Sequence, residues 1–413
     1  MKQFCPFIYS IILWLTISAA QLHGQTLAAV YHTGNSPLPD NEVRCVAVDA
    51  VGTVWVGTEN GLAAFNGSTW MVYTTGNSPL PDNRVRSIAI DAANRLWFGT
   101  FNGGLAMYDN NVWTIFNTGN SGLSDNYVKS IAFDAAQQLW LGLSGGLATY
   151  DGINWQLFTA IGEDVLLNNV NDVIFDQMKD IWVCTVNGGL VSMSKNGLLY
   201  AFNLGNSGVP DNTLLAITAD AQNVKWMTTI TDGVGRYDGM GWQVFTTANS
   251  GIASNNTTDI YANPFNSNIY IGTTNAGLSV YHPPSNGWTT FTAGLPDVYI
   301  TAITTESNGN IWLGTKTGGL VLLQDDFTNA PTLSPDKITL YPNPTAQQIC
   351  LNLPAMPTLL EASVIAAASG KCLIHQTLTD ACLSVGHLPV GLYFLHLRSD
   401  DGEYFVMRFT VVQ

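Results

Sequence analysis

Three cations are the side chains whose spacing most suggests chemistry in this 413-residue chain. Arg44, Arg86 and Lys129 follow one another at intervals of 42 and 43 residues, and Arg84 lies close to the second. Guanidinium and ammonium groups bind carboxylates and sulfates through charge-assisted hydrogen bonds. If folding brings these cations together, they predict a basic patch that can hold an acidic group on a glycan. The alternative is that each cation pairs with a neighbouring carboxylate, for which the candidates are Asp40, Asp82 and Asp125.

Catalytic chemistry has weaker support in the sequence. Ser144 stands in Gly142–Gly146, which matches the G-x-S-x-G nucleophile pattern, but that pattern requires a strand-to-helix turn. Here the same position in other repeats is a turn between two strands, so we do not expect a nucleophile. The histidines are scattered, and no cysteine pair has C-x-x-C spacing. We therefore predict no catalytic residue, no metal site, no cofactor and no enzymatic activity, with a polysaccharide lyase that uses Tyr or Asp side chains as a less favoured alternative.

The charge balance limits the partners. Acidic residues number 30 against 15 basic ones, giving a net charge of −15, whereas nucleic acids and anionic membranes attract basic surfaces. Hydrophobic residues make up 46% of the chain and charged residues 11%, which is too apolar for a disordered protein. The composition predicts a folded protein that does not bind nucleic acid.

A sevenfold internal repeat supplies the elements that must position the cations. Its marker is the aromatic residue of a W-x-G-T-like tetrad, which recurs every 42 to 44 residues at Trp55, Trp97, Trp140, Trp182, Trp226, Tyr270 and Trp312. Each unit contains four short runs of alternating polarity separated by turn residues. Four strands per repeat at this period predict a β-propeller, so the expected fold is all-β with seven blades.

The first segment of the chain is predicted to close the ring. The last repeat has only three strands before Leu323, whereas Leu27–Thr33 leads into the same eight-residue sequence that follows Met71–Thr75. We expect this N-terminal strand to form the outermost strand of the last blade, because closure leaves neither end as an exposed edge.

Comparison of the repeats separates residues that recur from copy to copy, which we expect to be structural, from residues that vary, which are candidates for a binding site. Asp residues that recur six positions before the Trp, and the Trp residues themselves, are expected to serve blade packing. Loops that enter the first strand and loops that join the second and third strands should share one face, the mouth. Residues that vary there form the predicted ligand-binding site, and they are Arg44, Arg84, Arg86, Lys129, Glu59 and Phe101.

The two ends of the chain carry different signals. Residues 1–24 have the basic start, apolar centre and small-residue end of a secretory signal peptide, cleaved after Ala20 or after Gly24. No later segment is long and apolar enough to span a bilayer. We expect the propeller at 25–323, a linker at 324–337 and a small β-sandwich at 338–413, in which two of three cysteines can form a bridge: Cys350, Cys372 and Cys382.

Two regions of the chain, the repeats and the C-terminal module, resemble known families. Asn83–Asp91, Leu96–Thr100 and Asn102–Leu105 are similar to the two-component-regulator propeller repeat, found in periplasmic sensor halves of hybrid histidine kinases, many of which respond to polysaccharide fragments. The sequence contains no kinase or receiver region, so the resemblance favours the propeller more than a signalling role. The C-terminal module resembles the sorting domain of type IX secretion substrates in four motifs: Tyr341–Pro344, Ser369–Lys371, Leu388–Tyr393 and Arg408–Val412.

The resemblances imply export through the inner membrane by the signal peptide and then across the outer membrane to the cell surface or the extracellular space. The expected partners are the type IX secretion machinery and an extracellular glycan or protein ligand. We expect a monomeric, non-enzymatic binding module. The alternative is a protein-protein scaffold or adhesin, which would show broad apolar patches on its rim.

Overall fold

The structure is a computed structural model of the chain. It describes residues 25–161, 165–167, 169–194, 198–283, 285–306, 308–325, 339–341, 345, 347–352, 360–366, 372–378, 382–399 and 404–412. The predicted signal peptide lies outside the described residues, as do residues 326–337 of the predicted linker. The described part of the chain contains no helix capable of crossing a membrane.

Seven antiparallel sheets of four strands form the blades of a β-propeller, which confirms the predicted fold class. The first strand of the chain, β1 (Gln25–Tyr31), belongs to the last blade. From the axis outward, the first three blades consist of β2 (Val43–Val48), β3 (Val54–Thr58), β4 (Gly61–Phe65) and β5 (Trp70–Tyr73); β6 (Val85–Ile90), β7 (Leu96–Thr100), β8 (Leu105–Asp109) and β9 (Val112–Phe116); and β10 (Val128–Phe133), β11 (Leu139–Leu143), β12 (Gly146–Tyr150) and β13 (Trp155–Phe158).

A two-stranded hairpin, β14 (Ala160–Ile161) and β15 (Val165–Leu166), separates the third blade from the fourth. The fourth and fifth blades consist of β16 (Val170–Phe175), β17 (Ile181–Thr185), β18 (Leu190–Met193) and β19 (Leu199–Phe202); and β20 (Leu214–Ala219), β21 (Lys225–Thr229), β22 (Val234–Tyr237) and β23 (Trp242–Phe245). The last two consist of β24 (Thr257–Ala262), β25 (Ile269–Thr273), β26 (Leu278–His282) and β27 (Gly287–Phe291); and β28 (Ile300–Thr305), β29 (Ile311–Thr315) and β30 (Leu320–Asp325), which β1 completes.

Ring closure occurs as the sequence predicts. β1 pairs antiparallel with β30, from Gln25 opposite Asp325 to Tyr31 opposite Leu320. The innermost strands of neighbouring blades contact one another around the ring, including β28 of the last blade with β2 of the first. The N-terminal strand therefore covers the edge that the last blade would otherwise expose.

The second strand of each blade forms the core between blades. All five residues of every such strand are buried, because each strand lies between two strands of its own blade and packs against neighbouring blades on both faces. The repeat Trp residues lie in these strands and are 1–8% exposed. Trp55, for example, packs against Leu96 and Phe98 of the following blade. The repeat Trp residues therefore lie at the blade seam, the interface between neighbouring blades, and serve blade packing as predicted.

Each recurring carboxylate serves the same seam. Asp49, Asp91, Asp176 and Asp220 accept a hydrogen bond from the indole N–H six residues later, at 2.9 to 3.0 Å. Glu306 does so for Trp312 at 2.7 Å. In the third blade Asp134 accepts the backbone N–H groups of Ala136 and Gln138, as the other aspartates accept theirs, but not the indole N–H of Trp140, which is buried without a partner among the described residues. A buried indole N–H gains from a hydrogen-bond partner, which accounts for the carboxylate in the five blades where this bond forms.

The glycine of the W-x-G-T tetrad lets the blades approach closely. An added Cβ at Gly99 would lie 2.8 Å from the carbonyl oxygen of Val128, the first residue of the next innermost strand. That separation is shorter than a van der Waals contact, so a side chain there would push the blades apart.

The C-terminal region forms two further sheets. Their strands are β31 (Thr339–Tyr341), β32 (Gln348–Asn352), β33 (Leu360–Ala366), β34 (Cys372–Leu378), β35 (Cys382–Ser384), β36 (Gly391–Ser399) and β37 (Tyr404–Val411), in the orders β31-β32-β35 and β34-β33-β36-β37. Buried residues from both sheets, among them Ile349, Val364 and Phe409, form one hydrophobic cluster. Cys350 and Cys382 form a disulfide between β32 and β35, which selects one of the pairings left open by the sequence. The sandwich arrangement of the two sheets stays a prediction.

Candidate functional site

The mouth of the propeller is the face at which the chain enters each innermost strand. Every innermost strand begins with a break in register of the type that a β-bulge produces. In the first three blades the residue at the break is Arg44, Arg86 or Lys129. A bulge redirects the side chain of its extra residue. The three predicted cations therefore occupy equivalent positions on neighbouring innermost strands, at which the regular alternation of side chains between the two faces of the strand is interrupted.

Backbone hydrogen bonds fix a second variable position beside the first. Glu59 N–H donates to the carbonyl oxygen of Glu42 at 3.2 Å, and Phe101 N–H donates to that of Arg84 at 3.0 Å. The loop between the second and third strands of a blade is thus held against the residue that lies two positions before the bulge. This arrangement places both sets of variable residues at the mouth.

A row of alternating charges crosses the mouth from the last blade to the second. Glu59 Oε1 accepts hydrogen bonds from Arg44 Nε at 2.7 Å and from Arg86 Nη1 at 2.5 Å. Arg44 also pairs with Glu42, which in turn pairs with Lys316 of the last blade. One carboxylate therefore neutralises much of the charge on two of the predicted cations.

The electrostatics of Glu59 reflect this contact. Burial raises the pKa of its carboxyl, but the hydrogen bonds and positive charges of Arg86 and Arg44 outweigh that effect, so its pKa lies below the ordinary value. The side chains of Glu59, Arg44 and Arg86 are all half-buried, which makes each of the two ion pairs stronger than a fully exposed one. Glu59 stays ionised and bound to its two arginines at neutral pH.

Phe101 supports two guanidinium groups. The Cζ atoms of Arg84 and Arg86 lie 4.2 and 5.0 Å from the centre of its ring. The ring of Tyr127 packs against Phe101 with centroids 4.6 Å apart, and Arg84 also pairs with Asp82 at 3.3 Å. The cations lie over the negative face of the aromatic ring. Phe101 therefore holds two arginines in place at the mouth.

Lys129 has different surroundings. Its Nζ donates to Oδ1 of Asn171 at 3.0 Å and to Oδ1 of Asn169, and it lies 5.3 Å from the ring centre of Tyr127. Burial lowers its pKa, and the charge of Asp125 opposes that effect. Within the described residues, Lys129 has no carboxylate oxygen within 4 Å, whereas the other four cations of the mouth each have one.

The geometry refines the sequence analysis. Arg84 pairs with Asp82, as the alternative interpretation expects, but Arg44 and Arg86 use glutamates rather than aspartates. Sequence reasoning missed Glu42, Tyr127 and Asn169. All three occupy the position two residues before the bulge, which varies between repeats and could have been found by the criterion that selected Glu59.

Two carboxylates lie on the innermost strands, one residue beyond the bulge position. Asp172 accepts from Ser130 Oγ at 2.6 Å and from the backbone N–H of Ile217 at 2.9 Å, and burial raises its pKa. Asp259 accepts from the backbone N–H of Ile303 at 2.7 Å. Burial, with a smaller contribution from the charge of Asp172, raises the pKa of Asp259 to about 7. These carboxylates link innermost strands of different blades.

Ser144 lies in the turn between β11 and β12. The local structure is strand-turn-strand, and the strand-to-helix geometry of a nucleophile elbow does not occur there. Among the described side chains, no group of three or more His, Cys, Asp or Glu residues is arranged to hold a metal ion.

Two protein-family models match segments of the chain. Residues 37–60, 79–102 and 294–317 match the two component regulator propeller model, and residues 339–412 match the secretion system C-terminal sorting domain. The chain therefore carries regulator propeller repeats followed by a sorting domain. No curated protein matches the chain.

Solved structures share the fold at low sequence identity. The extracellular domain of a hybrid two component system from B. thetaiotaomicron is 18% identical with a TM-score of 0.61, and the match covers 91% of this chain and 55% of that one. PorZ, a surface component of the type-IX secretion system of Porphyromonas gingivalis, is 15% identical with a TM-score of 0.58, over 94% and 61%. Virginiamycin B lyase from Staphylococcus aureus is 14% identical with a TM-score of 0.59, over 73% and 99%. The chain spans less than two thirds of the first two proteins.

The sorting domain has a consequence for location. Its presence implies engagement with the type IX secretion machinery and export across the outer membrane to the cell surface.

Proposed function

We propose that this chain is a cell-surface or extracellular binding module, in which the propeller mouth recognises an extracellular ligand and the C-terminal domain directs secretion. A glycan is the leading ligand class. Binding occurs without catalysis and in the monomer. The similarity to a lyase concerns the fold alone, because the identity is 14%.

The observation that carries the proposal is the concentration of cations and aromatic rings on one part of the mouth. Five cations, Arg44, Arg84, Arg86, Lys129 and Lys316, belong to the last blade and the first three. The corresponding bulge residues of the fifth to seventh blades include Leu215 and Thr301, which form the same scaffold without charge. The fold therefore does not require these cations, and a ligand provides a reason for them.

A glycan array probed with the full-length protein tests the proposal. The Arg44→Ala/Arg86→Ala/Lys129→Ala variant should lose binding that the wild type shows. The matched control is Arg95→Ala/Lys179→Ala/Arg236→Ala, which removes the same charge outside the mouth and should bind as the wild type does. Loss in both variants or in neither would contradict a site at the mouth, and a wild type that binds no glycan would contradict the ligand class.

A second candidate function, protein-protein contact, is favoured by the outer strand of the fourth blade. Leu198 and Tyr200 are 58% and 52% exposed, and Leu204 is exposed nearby. In the fifth blade the equivalents of Leu199 and Tyr200 are a half-buried Trp242 and a polar Gln243. A photo-crosslinking residue at position 200 should capture a protein on intact cells if this strand is an interface. The same residue at position 243 is the control, and equal capture at both positions would contradict the interface.

A further inference from the structure

Lys129 is hydrogen-bonded to neutral amide oxygens, whereas the other cations at the mouth pair with carboxylates. Its ammonium group has three N–H donors, of which two reach the amide oxygens of Asn169 and Asn171. Among the described residues no acceptor is within reach of the third. An ammonium group that is partly removed from water and hydrogen-bonded only to neutral oxygens leaves a positive charge, which the more distant carboxylate of Asp125 compensates only in part.

A second unsatisfied donor lies on the neighbouring strand. Arg86 Nε is buried and, within the described part of the chain, has no hydrogen-bond partner, although its Nη1 is bound to Glu59. The two donors are joined by an aromatic pair, because Lys129 lies against Tyr127, Tyr127 packs on Phe101, and Phe101 carries the Arg86 guanidinium. Both unsatisfied donors thus belong to one continuous cluster of side chains on the second and third blades.

The repeat pattern also changes beside Lys129. The connection into the fourth blade forms a small sheet of its own, β14 with β15, whereas the other described connections between blades form none. Asn169 follows β15 by three residues, and its side chain accepts the hydrogen bond from Lys129. The connection that departs most from the repeat pattern therefore ends at a residue that holds Lys129, the mouth cation without a carboxylate oxygen within 4 Å among the described residues.

We infer that Lys129 is the anion-binding residue of the mouth and that it binds the carboxylate or sulfate group of an acidic oligosaccharide, with Arg86 as the second donor. The inference rests on the proposed function. It reduces the basic patch to one side, since Glu42 and Glu59 already neutralise much of the charge of Arg44, Arg86 and Lys316, and Arg86 contributes through its unpaired Nε. The acidic group would accept a charge-assisted hydrogen bond from Lys129 directly and would reach the buried Arg86 Nε after a shift of the Arg86 side chain.

The test compares three classes of oligosaccharide on the full-length protein at low and high salt. Galacturonate oligomers supply carboxylates, chondroitin sulfate oligomers supply sulfates as well, and dextran oligomers supply neither. Lys129→Gln should weaken binding of the acidic ligand at least tenfold, and Lys129→Arg should restore it to within about threefold of the wild type. Lys179→Gln, which removes an exposed cation from the turn on the opposite face, should leave binding unchanged.

The outcomes separate the two proposals. A wild type that binds dextran and acidic oligomers equally, or a Lys129→Gln variant that keeps its affinity for the acidic ligand, overturns the inference but preserves glycan recognition. A wild type that binds none of the three also overturns the inference, and if it binds nothing on the glycan array either, the proposed function fails with it. Urea unfolding of each variant shows whether the fold is intact, and the Arg variant keeps the test valid if the Gln variant unfolds.

Discussion

Replacing Asp176 by Asn should destabilise the propeller far more than the same change at the equivalent position of the previous blade. Asp176 Oδ2 accepts from Lys225 Nζ at 2.7 Å and from Trp182 Nε1 at 3.0 Å, and the acidic and basic side chains are 1% and 7% exposed. This pair joins the fourth and fifth blades. Removing the negative charge leaves a buried ammonium group, and breaking a buried pair in this way costs about 3–5 kcal/mol.

The structure places the expected value near the lower end of that range. Lys225 keeps a hydrogen bond to the carbonyl oxygen of Asn223 at 2.8 Å and lies 4.6 Å from the ring centre of Trp182. We therefore expect a loss of about 3 kcal/mol in the free energy of unfolding. Asp134 pairs with no cation in the part of the chain that the structure describes, and an Asn there can still accept the two backbone N–H groups, so Asp134→Asn should cost less than about 1 kcal/mol.

Urea denaturation followed by tryptophan fluorescence measures both variants at pH 7. The double variant Asp176→Asn/Lys225→Met should recover at least half of the loss, because it leaves no buried charge unpaired. Equal midpoints for Asp176→Asn and Asp134→Asn would refute the argument, as would a double variant less stable than the single one. Below about pH 4 the difference should shrink, because the carboxylate, whose pKa Lys225 and Trp182 hold low against the effect of burial, becomes protonated.

Two further outcomes follow from the fold. Because the pKa of Asp259 is raised to about 7, its contribution to stability should fall as pH rises from about 4 to 7. In urea titrations, the free energy of unfolding of the wild type minus that of Asp259→Asn should therefore decrease over that interval. A constant difference would contradict the burial of this carboxyl. Deleting Gln25–Tyr31 removes the strand that covers β30. The variant should therefore elute as aggregates in size-exclusion chromatography under conditions in which we expect the full chain to elute as a monomer. A monomeric variant of unchanged urea midpoint would show that closure is not needed.

The architecture was accessible from sequence because a repeat amplifies weak local signals. One W-x-G-T tetrad says little, but seven at a constant period fix the number of blades, the number of strands and the place of the Trp side chains. The missing outer strand of the last repeat also predicted that residues near Leu27 close the ring, since a sheet edge must be covered. The sorting domain was recognisable for a similar reason, as its motifs lie in a fixed order.

The candidate site was only partly accessible. The variable positions predicted that Arg44, Arg86 and Lys129 lie on neighbouring blades, and the structure agrees. Sequence spacing could not tell which carboxylate each cation meets. Glu59 bridges two arginines from different blades, and Glu42 reaches Lys316, 274 residues away along the chain.

The sequence by itself determined the fold, the blade number, the mode of closure and the structural role of the recurring Asp and Trp residues, because each depends on a local pattern repeated at nearly constant spacing. Only the tertiary structure decided that Arg44 and Arg86 share a carboxylate while Lys129 has none as a partner among the described residues. Electrostatic pairing depends on distances of a few ångströms between side chains on different blades, and such distances arise only when the ring has closed.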